Sequence, residues 1–468
     1  MIRLVVLLTV APFLCTASNA PICAAEPLEA GVAVVDITPI PGYRMSGYFS
    51  ERLNTGTLDP LLAKAIVFRQ DDVEAALVFC DIAGISIDVS TRAREIAQRE
   101  TGIPAENISI AATHSHTGPL YFGALRKHFH DRIVAKKGRD PYELVDYSME
   151  LTGRLVRAIH AAQKELRPVE LNAGYGIENR LSFNRRFHLK NGTVRFNPGQ
   201  LNKNILRAAG PIDPEVGLIT ISAAETAEPL AAIVAFALHL DTLGGTRYSA
   251  DFPRYVQDEL QKTQGDNFVS MFGAGTCGDI NHVDVTVKGR RKTEEIGTML
   301  AETVASTLPK LEPVGAASLS VRRALVNASL QNYSAEQIAK AKKTMERVDD
   351  GTLSFLKRVE AYKIMAVQLR SGPTIPLEVQ VFRLSDDVAI VTLPGEVFVD
   401  LGIAIKQASP FKTTLIIELA NDAPGYIPTR KAFAEGSYET VNSRVVPGSG
   451  ETMVETAVSL LKELKPQP

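Results

Sequence analysis

The stretch "IAATHSHTGPLYFG" (residues 110–123) sets His114 and His116 two positions apart, behind an apolar run and ahead of Gly118-Pro119. The chain holds eight histidines in 468 residues, so two in three positions need a reason. "NISIAAT" (107–113) reads as a strand that delivers them. On an extended strand the two imidazoles share one face. If the strand stops at His114, the turn toward Gly118-Pro119 decides where each one points. Alone, such a pair is more often hydrogen-bonded structure than a metal site.

Other predicted strands supply partners. "AAIVAFALHL" (231–240) ends a core-like run on His239, and a buried imidazole needs a partner. "FGAGTCGDINHVD" (272–284) puts Asp279, Asn281 and His282 after a glycine-rich turn. "VAIVTLPGEVFVDLG" (388–402) puts Glu396 where a strand gives way to a helix, and "LANDAPGYIPT" (419–429) puts Tyr426 in a Pro/Gly loop. Polar groups gathered at strand ends form one rim, the place where α/β proteins build sites.

The rest of the chain alternates the two periods. "GVAVVDITP" (31–39), "LAKAIVFR" (62–69), "EAALVFCDI" (74–82), "LITISA" (218–223) and "NFVSMFG" (267–273) read as strands. Helices are expected at 88–102, at 141–166 beginning on Pro141, at 251–263 and at 293–308. Residues 334–370 are charged and helical, with a break at Asp350-Gly351, and read as a helical hairpin inserted between strands. "TIPLEVQVFRLSDDVAIVTLPGE" (374–396) is a β-hairpin turning at Ser385-Asp386-Asp387. The fold class expected is α/β: a single large domain of mixed β-sheets flanked by helices, with the active site at strand ends.

Composition excludes some partners. Apolar content is 45%, charged content 22%, and 51 basic against 53 acidic residues leave a formal charge of −2. No basic excess points to nucleic acid, and no lysine-rich tract points to anionic lipid. "MIRLVVLLTVAPFLCTASNA" has a basic Arg3, an apolar run and small residues, the pattern of a signal peptide over 1–24 and hence of a secreted or periplasmic protein. The remaining chain, 25–468, has no transmembrane run. It keeps two cysteines, Cys80 and Cys277, which could pair but make no disulfide framework.

In order along the chain, these motifs resemble the neutral ceramidases, zinc-dependent amidases that cleave the N-acyl bond of ceramide. "THSHTGP" (113–119), "AFALHL" (235–240), "ENRLSFN" (178–184), "LPGEVF" (393–398) and "GYIPTRKAFAEGSYET" (425–440) carry the resemblance, which spans roughly residues 30–465. It implies Zn2+ held by His114, His239, Glu396 and Tyr426, with His116 and Arg180 facing a small-molecule or lipid N-acyl substrate. Imidazole and carboxylate suit zinc. It also implies a catalytic domain that lacks the family's C-terminal β-sandwich. The family's proposed serine nucleophile falls in "GDINHV" (278–283), where Asn281 stands instead. Three readings follow. In the preferred one, metal-activated water attacks, Asp279 or His282 is the base, and Asn281 orients the water or donates to an oxyanion. In the others, Cys277 is the nucleophile, or the site only binds. A metal hydrolase acting on an ester, a lactone or an N-acyl sugar is the rival for the bond cleaved.

Overall fold

The computed structural model describes residue 2 and residues 26–348 and 351–465. Apart from residue 2, the expected leader at 1–24 lies outside the described residues, as does Asp350 of the expected helical break. Eight strands in chain order build the larger sheet. They are β1 (Glu29–Asp36), β2 (Leu62–Gln70), β3 (Val73–Cys80), β4 (Ile108–Ala112), β5 (Arg167–Ile177), β6 (Glu215–Ala223), β7 (Pro229–Phe236) and β8 (Val269–Ala274). Their spatial order is β8-β7-β6-β5-β1-β2-β3-β4, and a short strand at Glu312–Pro313 adds to β5. A second sheet contains β9 (Ala317–Ser329), β10 (Thr374–Ser385), β11 (Val388–Thr392) and β12 (Thr413–Ile417) in that order.

The two sheets stack, and period-2 alternation shows how. On β3, Ala76, Val78 and Cys80 face a core shared with the helices Ile87–Thr101, Tyr147–Lys164, Phe252–Gln264 and Thr293–Thr307. The alternate residues Ala75, Leu77 and Phe79 face a second core, where they meet Phe382, Ile390 and Leu415 of the smaller sheet. On β11, Ala389 and Val391 turn the other way, into a third core beneath the helices Val399–Ala408 and Ser449–Leu464. The result is a single large mixed α/β domain with helices outside and two sheets inside, as the sequence predicts.

Most pairs are antiparallel, but β3–β4, β7–β8 and β11–β12 are parallel. A parallel pair needs a crossover. Each of these three is bridged by one helix: Ile87–Thr101, Phe252–Gln264 and Val399–Ala408. The carboxyl ends of β4, β8 and β12 then meet. Beyond β12, Glu418 N–H donates to Ala274 O (2.8 Å), Ala112 N–H donates to Leu419 O (3.1 Å), and Asn421 N–H donates to Ile110 O (2.8 Å). Residues 418–421 thus join both edges of the larger sheet to the end of the smaller one.

The helical hairpin is present as Ala335–Met345 and Phe355–Gln368, between β9 and β10. Ser334 and Gln337 form a capping box at its start. The helix expected from Pro141 begins six residues later, at Tyr147, because Asp146 accepts from the N–H groups of Ser148 (3.0 Å) and Met149 (3.3 Å). The helix Gly123–Lys137 and the small sheet of Arg186–Leu189, Val194–Phe196 and Ile205–Ala208 are not legible as periodic runs.

Candidate metal centre

β4 ends at Ala112, so His114 lies beyond the strand, with φ at 80°. That left-handed backbone turns its ring toward His239, which follows β7. The Nε2 atoms of His114 and His239 are 3.0 Å apart, and those of His114 and His116 are 3.3 Å apart. Glu396 Oε2 is 3.6 Å from His114 Nε2. The Nδ1 of His114 is 2.7 Å from the Ala83 carbonyl, which can only accept, so Nδ1 carries the proton and Nε2 presents a lone pair. Burial holds His239 well below the usual imidazole range and pushes His116 down to about 3. The three rings turn nitrogens toward one point, with their ligand atoms all within 4.8 Å of one another. His116 Nδ1, also buried, has no hydrogen-bond partner among the described residues. This donor set fits a zinc ion.

Glu396 and Tyr426 arrive together. Glu396–Val397 and Tyr426–Ile427 form a parallel two-residue pair with Glu396 opposite Tyr426. Gly395 (φ 82°) and Gly425 (φ 93°) precede them, and a Cβ on Gly395 would lie 2.7 Å from the Gly425 carbonyl. Only glycine allows both turns to approach so closely. Burial alone would raise the Glu396 carboxyl, but its contacts with His114 and Tyr426 and the nearby Arg185 charge hold it below the ordinary range.

Arg185 is the site residue that sequence reading missed. It is 3% exposed in its side chain and donates from Nη2 to Tyr426 Oη (3.0 Å) and Gly278 O (2.7 Å). Its Nε donates to Glu439 Oε1 (3.0 Å), and Nη1 is 3.5 Å from His239 Nδ1. Two adjacent arginines in "FNRRF" (183–187) were the available signal, since one of them had to face inward from a strand edge. Both are buried, and Arg186 Nη1 also reaches Glu439, at 3.0 Å. Asp241, two residues after His239, was missed as well. Its Oδ1 lies 3.3 Å from His282 Nδ1.

The remaining expected residues are placed as follows. Arg180 is paired with Glu178 rather than with any of His114, His116 and His239. Its side chain is half-exposed and donates from Nε to Glu178 Oε1 (2.9 Å) and from Nη2 to Glu178 Oε2 (2.5 Å). Asp279 is buried and already engaged, accepting from Val399 N–H (2.9 Å) and from Asn184 Nδ2 (2.8 Å). Burial pushes its carboxyl up to about 6. Asn281 donates to Asn197 Oδ1 (2.9 Å) and accepts from Val283 N–H (3.0 Å), so its amide holds the loop. Cys277 and Cys80 are both free and buried. Cys277 Sγ donates to Glu418 Oε1 (3.0 Å), and burial drives its thiol well above the normal range, the opposite of an activated nucleophile.

A second group of possible donors, His130, Asp140 and Glu143, is a different case. The fully buried Arg44 guanidinium binds Asp140 (2.5 Å), Glu143 (2.8 Å) and Glu51 (2.8 Å), and Arg126 also pairs with Glu143. These carboxylates are already neutralised, so the cluster is an ion-pair network that fastens the 140–143 turn.

Two solved structures share this architecture. The crystal structure of neutral ceramidase from Pseudomonas aeruginosa superposes with a TM-score of 0.71 at 20% identity, covering 94% of this chain and 75% of that one. The chain has the neutral-ceramidase fold. A ceramidase complexed with C2 gives a TM-score of 0.68 at 19% identity, covering 94% of this chain and 76% of that one. No protein-family model and no curated protein matches the sequence. Within this neutral-ceramidase fold the histidines sit where the ends of both sheets meet. Among the described residues no helix is long and apolar enough to cross a membrane.

Proposed function

We propose that the chain is a secreted, zinc-dependent hydrolase that cleaves an N-acyl amide bond. The observation that carries this reading is the approach of the His114 and His239 nitrogens to each other and of the Glu396 carboxylate to His114, in a fold shared with neutral ceramidases. His114, His239, Glu396 and Tyr426 hold the ion, which supplies Lewis acidity to the acyl carbonyl and to water. Ala83 fixes the His114 ring, and Arg185 fixes the Tyr426 phenol. Of the two bases expected, Asp279 is tied to backbone and amide partners, so His282 takes the role. The carboxylate of Asp241 lies 3.3 Å from its Nδ1, close enough to stabilise positive charge on the ring when it takes up a proton. His116, the most accessible of the three clustered histidines, faces the substrate.

The acyl side meets an aromatic border. Tyr438 packs against Tyr426 (5.4 Å between centroids), Phe196 (4.7 Å) and Phe355 (5.3 Å), and Phe49 against Phe355 (5.8 Å). Such a wall suits an apolar chain.

The test is the zinc content of the purified protein by elemental mass spectrometry, beside a His114→Ala/His239→Ala double variant, with turnover of long-chain N-acyl amides, short esters and N-acetyl sugars. One zinc per chain, lost with turnover in the variant, and preference for the amides are expected. Metal-free protein that takes up no added zinc would end this reading, and ester or sugar preference would move the reaction to another bond.

A further inference from the structure

Next to the cluster, reached through His282, lies a groove of about 560 Å³. Its lining includes Arg180, His282, Lys288, Arg290 and Arg291. Four lysine and arginine cations line it against two acids, of which Glu295 is ion-paired. Glu295 is bound by Arg291 (2.6 Å), and Asp284 accepts from the N–H (2.8 Å) and hydroxyl (2.6 Å) of Thr286. Arg180 is paired with Glu178. Among the described residues, Lys288 and Arg290 have no carboxylate partner.

The segment that carries these two cations is fastened. Gln200 Nε2 donates to Asp284 O (3.0 Å) and Gly289 O (2.6 Å), and its Oε1 accepts from Gly289 N–H (3.1 Å). Leu201 N–H adds a bond to Val285 O (2.8 Å). Gly289, at φ 93°, makes the turn that sets Lys288 and Arg290 on either side of it. The Gln200 side chain holds the loop in place, so the backbone that carries the two cations is fixed in the groove beside His282. The groove adjoins the cluster through His282 and Asp241, whereas the aromatic border reaches it through Tyr426.

Resting on the hydrolase reading above, we infer that this groove binds an anionic group, a carboxylate or sulfonate, on the amine portion of the N-acyl substrate. The apolar acyl chain takes the aromatic border. The charge takes the basic groove, and the scissile bond lies between them. Two exposed cations acting on one anion are worth about a tenfold preference, weakened by salt.

The experiment uses N-octanoylglycine, N-octanoyltaurine and the neutral N-octanoylethanolamine. Affinities come from titration calorimetry on the zinc-loaded wild type and on Lys288→Ala/Arg290→Ala, at about 0.05 M and about 0.5 M salt. Turnover is measured separately. Both anionic amides should bind the wild type about tenfold more tightly than the neutral one, and both the double variant and high salt should erase the difference. Equal affinity of all three for the wild type, or a preference that survives in the variant, overturns the inference. If the preference is present and lost in the variant while no amide is turned over, the groove stands and the hydrolase reading falls. If amides are turned over with equal affinities, the hydrolase reading stands and the groove falls.

Discussion

Arg185 carries a full charge inside the protein, and its partners explain how it is tolerated. Glu439 neutralises it, Gly278 O and Tyr426 Oη accept from it, and it stacks 5.2 Å from the centre of the Phe196 ring. Replacing it by methionine leaves the Glu439 carboxylate with Arg186 as its remaining cation. We expect Arg185→Met to lose about 3 kcal/mol of stability in urea titrations and most of the turnover. A variant of native stability would show that Arg186 alone satisfies Glu439. Asp251 gives a pH-dependent counterpart. It caps the helix Phe252–Gln264, and burial lifts its carboxyl from 3.8 to about 6. Between those values the folded state binds more protons than the unfolded one, so this group contributes stability at low pH that is lost as pH rises through about 6. Asp251→Asn keeps an accepting cap and cannot ionise. Its urea midpoint should therefore gain on the wild type as pH rises from 4 to about 6 and hold level above that. Parallel curves would rule this out.

At the scale of elements, the inserted hairpin packs on the third core and also borders the site. Helix Phe355–Gln368 lays Val359 and Val367 into the third core, and its first residue, Phe355, reaches the ring of Tyr438 beside the site. Phe355 is 39% exposed, so its removal costs little in stability. Phe355→Ala should lower kcat/KM for octanoyl amides several-fold relative to acetyl amides, with a thermal midpoint near that of the wild type. An unchanged chain-length profile would place the acyl group elsewhere.

For the whole molecule, stacking of the sheets brings the donors together. The histidines follow strands of the larger sheet, and Glu396 and Tyr426 follow strands of the smaller one. Phe79 lies in the core between them, where its Cε1 would stand 3.2 Å from a Cβ placed on Gly273. Phe79→Ala should cost about 3–5 kcal/mol and also weaken zinc binding, read by competition with a chromogenic chelator. Lost stability with unchanged zinc affinity would mean that the local turns organise the site without help from the stacking.

The sequence by itself determined most of the elements and singled out the candidate donors. Alternating apolar residues made the strands, the capping pattern at Ser334 made the hairpin start, and "THSHTGP" and "LPGEVF" announced His114, His116 and Glu396 at strand ends. Helices beginning at side-chain caps were misread by a few residues where Pro141 outranked Asp146, because a cap depends on which carboxylate turns back on the chain. Only the tertiary structure decided that Arg185 and Arg186 both face inward and which histidine nitrogens meet. It also showed that Asp279, Asn281 and Cys277 are bound to backbone, amide and carboxyl groups. Those outcomes rest on contacts between residues tens to hundreds of positions apart. Such contacts form only when the ends of two stacked sheets are joined at residues 418–421, and no local spacing records them.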